Sequence, residues 1–435
     1  MDQRESFLAW AREAHVPLTA GHRHRASRDL ALLREMIGQA SVVTFGEALH
    51  GCGEPLEFRN RLLEYLVAEK SFTAIAMESG LVEGHLVHDY IAGGEGELSD
   101  VMARGFSWTF DRLPQNRELV QWLRDYNARP ETRRKINFYG FDVPGSPGNS
   151  KVARGVDTAL RALLAYLERV DRGVIEGLRS RLAPLLRDLG PGYAGMSSGD
   201  RNALTATIAD LCALMECSEA QYIAASTRAD YEWAYRAGIG ARQVDSWLRA
   251  RYIAAGSNDG ASDAMNGAAL YAALRAEQTR DRAQADNLEW IVHREGPQGK
   301  LLVFAHRFHL STAPVTRCLL NEAVETQHYG AGTYLKRRFG RRLVTIANLV
   351  GESEAGEAAE SSQSLVRAAE DSIDGFVAGV GAPCFLLDIR AAPPRPRAWL
   401  AVERSREHPV ARRGQAFKLR VGKAFDILLY MDRVR

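Results

Sequence analysis

The sequence predicts an α/β protein: a mostly parallel central sheet flanked by helices, with a large all-helical insertion forming one wall of a cleft. Three observations predict it. Short apolar runs alternate with segments of helical spacing over the first third of the chain. Strand patterns all but vanish between residues 152 and 292. They then return and continue to the C-terminus. At 435 residues the chain is long for one core. The expected division is a first part of the core over residues 1–150, the helical insertion over 151–292, and a second part of the core over 293–435.

The elements follow in order. Residues 30–37 are apolar at helical spacing and stop at Gly38, and residues 41–45 read as a strand. Pro55 suits a first helical position, and Phe58, Leu62, Leu63, Leu66 and Val67 carry that helix on. Residues 72–77 form the next strand, 81–91 a helix closed by Gly93 and Gly94, 117–127 another helix, and 136–141 a third strand. Strand, helix, strand with short links is by default a right-handed series. Helical stretches cover 152–189, 201–247 and 263–292, with turn signals at Gly190-Pro191-Gly192 and at 197–199. Strands resume at 301–305, 343–347, 383–389 and 427–430. Residues 351–364, acidic and small, read as a mobile loop, and 391–397, with three prolines, as an extended connector.

Bulk composition excludes several classes. Lys and Arg number 56 against 54 Asp and Glu, a formal charge of +2, so no nucleic-acid or membrane partner is implied. Hydrophobic residues at 46% fit a soluble globular protein, and no apolar run is long enough to span a bilayer. The start Met1-Asp2-Gln3-Arg4-Glu5 lacks the layout of a signal peptide. Five cysteines without metal spacing suit a reducing cytoplasm, which is the expected location. Cys52 stands out because it follows His50 by two residues, although an inert buried thiol is the default.

Chemistry collects where the strands end. Four runs deliver Glu47 with His50, then Glu78, Asp142, and His306 with His309. Ligands of open α/β sheets bind outside the carboxyl ends of the strands, so these groups mark a site for a small molecule. Gly46 and Gly51 flank Glu47 and His50, which lie three apart and face one cavity if the segment coils; a solvated loop and a helix cap are the plain alternative. Glu78 follows an apolar run directly, and either serves the site or caps the next helix. Asp142 is expected to cap or to orient a neighbouring histidine. His306 and His309 supply acid/base and donor groups, or, with His50 and Glu78, ligands for a divalent metal. Aromatic residues from Tyr222 to Tyr252, Trp233 among them, either pack helices together or wall a ligand. Gly195-Met196-Ser197-Ser198-Gly199 fits a serine-hydrolase elbow in letters only, because no strand precedes it.

At these residues the chain resembles the erythromycin esterase family. The matching pieces are Gly46-Glu47-Ala48-Leu49-His50-Gly51 with Arg59, and then Met77-Glu78-Ser79. Trp122-Leu123-Arg124-Asp125-Tyr126-Asn127 and Tyr139-Gly140-Phe141-Asp142 follow. Arg280-Asp281-Arg282 with Asn287, and Ala305-His306 with His309, complete the family order. The resemblance implies an α/β core, a helical subdomain and a deep cleft, and in the resistance enzymes hydrolysis of a macrolide lactone. It implies His50 as the general base that activates water, Glu47 and Glu78 as positioning groups, and Arg59 and His306 as the groups that bind and polarise the carbonyl. Arg307 departs from the family's usual Asn and would add a cation to the site.

The expected function is therefore hydrolysis of a bulky ester or lactone by water, without covalent intermediate and without cofactor. An imidazole near neutral pKa is suited to that step. The rival expectations are a metal-dependent hydrolase, a biosynthetic acyl-transfer or cyclising enzyme on the same site, and a non-catalytic ligand-binding homologue.

Overall fold

The computed structural model describes residues 2–18, 30–143, 153–188, 193–252, 267–319, 324–354, 366–405 and 415–435. Unbroken apolar runs belong in a sheet covered on both faces. The strands are β1 (Val16–Pro17), β2 (Val42–Glu47), β3 (Ala74–Gly80), β4 (Asn137–Asp142), β5 (Leu301–His306), β6 (Val315–Leu319) and β7 (Val324–His328). They continue with β8 (Leu343–Ser353), β9 (Val366–Arg367), β10 (Cys384–Asp388), β11 (Arg404–Ser405), β12 (Gln415–Leu419) and β13 (Ile427–Val434). The main sheet has the order β1-β10-β13-β8-β2-β5-β3-β4, with β9 beside β8. Its centre, β13 to β4, is parallel, while β1, β9 and β10 pair antiparallel. Every residue of β2 and β3 is buried.

The helices are α1 (Gln3–Ala14), α2 (Leu33–Ile37), α3 (Gly53–Lys70), α4 (Leu81–Ile91), α5 (Leu98–Gly105) and α6 (Pro114–Ala128). Next come α7 (Ala153–Val170), α8 (Arg172–Asp188), α9 (Ser198–Cys217), α10 (Glu219–Ala225), α11 (Arg228–Tyr252) and α12 (Gly267–Glu295). After β5 follow α13 (Arg307–Leu310), α14 (Ala331–Phe339) and α15 (Ile373–Ala378). One sheet face, through Val43, Phe45, Leu302 and Phe304, packs on Phe58 and Leu62 of α3 and Leu119 and Leu123 of α6. The other, through Val42, Ala74, Leu301 and Val303, packs on Leu288 and Ile291 of α12 and Leu335 of α14. Each such fully buried aliphatic side chain contributes about 1.5–3 kcal/mol. Helices α7 to α11 and the first half of α12 have an apolar core of their own, with Leu160, Leu163, Leu204, Leu211, Val244 and Trp247.

Register brings the strand ends together. Glu47 lies beside His306, Met77 beside Phe304, and Gly80 beside Asp142. Close approach at this edge requires two glycines. A Cβ on Gly46 would stand 2.6 Å from Arg307 Cα, and one on Gly140 2.1 Å from the carbonyl oxygen of Gly80.

Several expectations change. Residues 391–397 are not wholly an extended connector, since Pro394–Leu400 is helical with proline in its first turn, where the missing N–H costs nothing. A second, antiparallel sheet of order β11-β12-β6-β7 has no counterpart in the sequence reading. Its strands mix Thr, Arg, Glu and Gln with few apolar residues, so no buried run announces them. The expected loop at 351–364 begins as the end of β8, and 355–365 lie outside the described residues, as does Gly190-Pro191-Gly192. Ser197 caps α9, accepting from the Asp200 N–H, so its motif is a helix start. No described helix is long and apolar enough to cross a membrane.

Candidate active site

Strand ends β2, β5, β3 and β4 present Glu47, His306, Glu78 and Asp142 in that spatial order. The turn after β2 brings His50 back over Glu47. His50 Nδ1 lies 2.7 Å from Glu47 Oε1, so Nδ1–H donates to the carboxylate. Nε2, which has no hydrogen-bond partner among the described residues, is left to exchange a proton. The His50 side chain is 41% exposed whereas Glu47 is enclosed. Its ring lies 5.1 Å from the His306 ring and 5.7 Å from Phe110. Crowding by protein disfavours the His50 imidazolium, but the hydrogen bond and charge of Glu47, with the charge of Glu78, outweigh it and raise the His50 pKa. Burial raises the Glu47 pKa against the pull of His50, and Glu47 Oε2 is buried without a partner.

Glu78 sits in the opposite situation. Its Oε1 accepts from Arg280 Nη2 at 2.7 Å and lies 3.3 Å from His309 Nε2. Its Oε2 accepts from the His306 backbone N–H at 2.7 Å. Burial pushes its pKa up, yet His309, Arg280 and His50 hold it well below the usual carboxylate range. Burial likewise opposes charge on His309, but Asp281 and Glu78 push its pKa up to about 10, against the nearby Arg280 cation. The two carboxylates thus favour the His309 imidazolium, while Arg280 Nη1, 3.3 Å from His309 Nε2, opposes it. Asp142 accepts from Arg280 Nε and Nη2, Gln284 Nε2 and Trp108 Nε1. It therefore orients an arginine, where a histidine was expected. Arg280 in turn lies over the Trp108 ring at 4.6 Å. Trp108 and Thr109 both hold left-handed φ, 64° and 67°, a conformation that costs each residue about 1–2 kcal/mol and fixes the indole over the cluster.

The structure corrects two further expectations, the placing of Arg59 and of Arg307 in the site. Arg59 is fully enclosed, donating to Asn60 and Asn116 and lying 4.8 Å from the Phe304 ring centre. It lies under the sheet edge and presents no donor to the cleft, because its helix packs that face on the sheet. Its charge acts on Glu47 from below. Arg307 turns away from the cleft. It forms a two-pronged pair with Asp374 of α15, 2.8 Å at each prong, and donates to the Asn348 carbonyl. The close contact at Gly46 sets the backbone there and sends the side chain towards β8. Trp233 stacks on His85 at 3.9 Å and borders a cavity of about 240 Å³ between α4, α7 and α11, apart from the ionic cluster. His306 does sit beside His50, but Nε2–H donates to the Ala48 carbonyl and Nδ1 accepts from the Phe308 N–H.

Metal and nucleophile alternatives meet the same geometry. His309, His306 and Glu78 have their polar atoms committed to protein partners, and Arg280 occupies the centre between Glu78 and Asp142. Among the described residues no group of three or more His, Cys, Asp or Glu is disposed around an ion. Cys52 is buried, and burial pushes its thiol pKa up to about 12. Ser79 and Ser107 are both engaged with backbone, Ser79 Oγ accepting from the Ser107 N–H and Ser107 Oγ from the Gly80 N–H.

A parallel sheet whose carboxyl edge gathers two imidazole–carboxylate pairs and a buried guanidinium has the architecture of an enzyme. Comparison with known proteins narrows the class to carboxylic ester hydrolases. The chain belongs to the erythromycin esterase family, whose model matches residues 67–434; Glu47, His50 and Arg59 precede that stretch. Among curated proteins it is similar to erythromycin esterase type II of Escherichia coli, 24% identical over 319 residues, which cover 71% of this chain and 70% of that one. A solved Bacillus cereus protein shares the fold at TM-score 0.78 and 21% identity, over 99% of this chain and 98% of that one. A succinoglycan biosynthesis protein aligns at TM-score 0.75 and 20% identity, over 99% and 97%. A mutant of the erythromycin esterase EreC in its open conformation aligns at 0.67 and 17%, over 94% and 95%.

Proposed function

We propose that the protein hydrolyses an ester or lactone of a bulky, macrolide-like small molecule, with water activated by His50 and no covalent intermediate. The Glu47–His50 pair carries this reading: an accessible imidazole with one nitrogen held by a buried carboxylate and the other free. No hydroxyl or thiol hydrogen-bonds His50 among the described residues, which favours water over a protein nucleophile. His50 Nε2 takes a proton from water as the oxygen attacks the carbonyl carbon, and the imidazolium formed is stabilised by Glu47. The same imidazolium then returns the proton to the departing alkoxide. Glu78, fully paired, acts as a fixed negative charge that also anchors the end of β5. The substrate is read from the family, and the mechanism from the pair.

The test is incubation with a panel of macrolides and simple esters in heavy-oxygen water, read by mass spectrometry. A lactone is expected to give a hydroxy acid heavier by one water, and a simple ester an acid and an alcohol, with the label in the new carboxylate. Products lacking water would replace hydrolysis by acyl transfer or cyclisation, and ligand binding without turnover would leave only a binding protein.

A further inference from the structure

We infer that Asp281 is a positioning residue of this site: from α12 it clamps His309 against Glu78 and ties the pair to the second sheet through His328. The inference rests on the proposed function only for its kinetic arm. Asp281 is fully buried and all its contacts are specific. Oδ1 accepts from His309 Nδ1 at 2.8 Å and from the Ala331 N–H at 3.0 Å. Oδ2 accepts from His328 Nε2 at 2.7 Å. His328 ends β7, opposite Val315 of β6, and its ring packs on Phe308 at 4.4 Å. A continuous buried line therefore runs from Glu78 through His309 and Asp281 to the antiparallel sheet. Glu78 spends its other oxygen on the backbone of His306, the neighbour of His50.

The physical reason for such a line is fixation. A carboxylate held by one arginine can still swing, because a single pair leaves torsions free. Glu78 is gripped from two sides, by Arg280 and by His309, and His309 cannot rotate while Asp281 holds its Nδ1. Electrostatics agrees. Asp281 and Glu78 face His309 with negative charge, Arg280 and His50 face it with positive or titrating nitrogen, and His328 shares Asp281. Asp281 makes the largest favourable contribution to holding the His309 proton, ahead of Glu78. Its hydrogen-bond partners are His309, His328 and the Ala331 N–H, so it acts on Glu78 through His309.

The experiment uses the full chain labelled with nitrogen-15 in its histidines. In the wild type the His309 ring should show both nitrogens protonated through about pH 8, and a neutral His309 at pH 7 overturns the inference. Asp281→Asn should lose that imidazolium signal by about pH 8. On a hydrolysed ester its kcat should fall tenfold or more, with KM within about twofold. Unchanged kcat, or a retained imidazolium, overturns it. If Asp281→Asn does not fold, His328→Leu and His328→Gln replace it. Leu should lower kcat severalfold, and Gln, whose amide still donates to Asp281, should restore most of it. Equal, wild-type kcat in both would show the anchor to be idle. Should no ester be hydrolysed at all, the proposed function fails, while the nitrogen signals still decide the role of Asp281.

Discussion

The two halves of the site are built from the same residue types and behave in opposite ways. On the α3 side of the sheet, Glu47 holds His50 by one bond, keeps an oxygen without partner, and leaves the imidazole partly exposed. On the α12 side, Glu78, His309, Arg280, Asp142 and Asp281 are enclosed and bonded to one another. A buried network with every group satisfied is rigid, whereas an imidazole with one nitrogen open can take up or release a proton near neutral pH. The contrast teaches that one half is locked in place while the other keeps an imidazole nitrogen and a carboxylate oxygen unengaged, the half to which the proposed mechanism gives the proton transfer.

That contrast can be broken by exchange of single residues, beginning with the largest effect. His50→Ala should lower kcat/KM by on the order of 10³-fold, about 4 kcal/mol of transition-state stabilisation. A loss under tenfold would move the proton exchange elsewhere. Arg307→Met should cost about 3 kcal/mol in urea denaturation, since it strands buried Asp374, with kcat within twofold of wild type. A fall in kcat at unchanged stability would return Arg307 to the cleft.

Glu47→Gln sharpens the comparison more finely. Under the proposed mechanism catalysis needs neutral His50, so activity should rise with pH through the raised His50 pKa. Removing Glu47 deletes the bond and charge that raise it, and the acid limb of kcat/KM should move to lower pH. The plateau should drop about tenfold to a hundredfold because the ring loses its orienting partner. An acid limb that stays in place would uncouple the pair.

The smallest effect belongs to Glu83, in the first turn of α4 beside the fixed half. Burial, with a smaller push from Asp142, raises its pKa to about 7, and one of its oxygens is buried without a partner. The folded state therefore binds its proton more tightly than the unfolded chain does. That stability is present below the unfolded value and is lost as pH rises through about 7. Glu83→Gln should be more stable than wild type by on the order of 1 kcal/mol above pH 8, and no more stable near pH 4. Equal stability at both pH values would remove Glu83 from the cluster's charge balance.

Much of this was legible in the residues. The central strands are continuous apolar runs, and each ends on a charged group, so both sheet and edge could be read. The second sheet could not, because strands such as Thr316-Arg317-Cys318 bury no continuous run. Glu47, His50, Glu78, His306 and His309 were grouped correctly in space. The directions of Arg59 and Arg307 were not legible, since a residue's place in the chain does not say which side of a sheet edge its side chain takes. Arg280, Asp281 and Trp108 were not singled out as site residues. A signal existed for the first two in the motif Arg280-Asp281-Arg282, and Arg280 shares one helical face with Gln284, Asn287 and Ile291, polar at one end and apolar at the other. Nothing in the letters around Trp108 marks its left-handed backbone.

Strand order has a consequence for how the molecule is made. β2 pairs only with β5 and β8, so its hydrogen-bonding partners all lie beyond residue 300. As the chain leaves the ribosome, β3 and β4 can pair with each other, but β2 waits with both edges bare while some 250 residues follow. His50 and Glu47 are thus synthesised early and placed late. Such long-range pairing is slow and leaves a sticky intermediate. A nascent or truncated chain would carry the acid-base pair without the floor that positions it, so the reactive half exists only once the last third of the protein has closed over it.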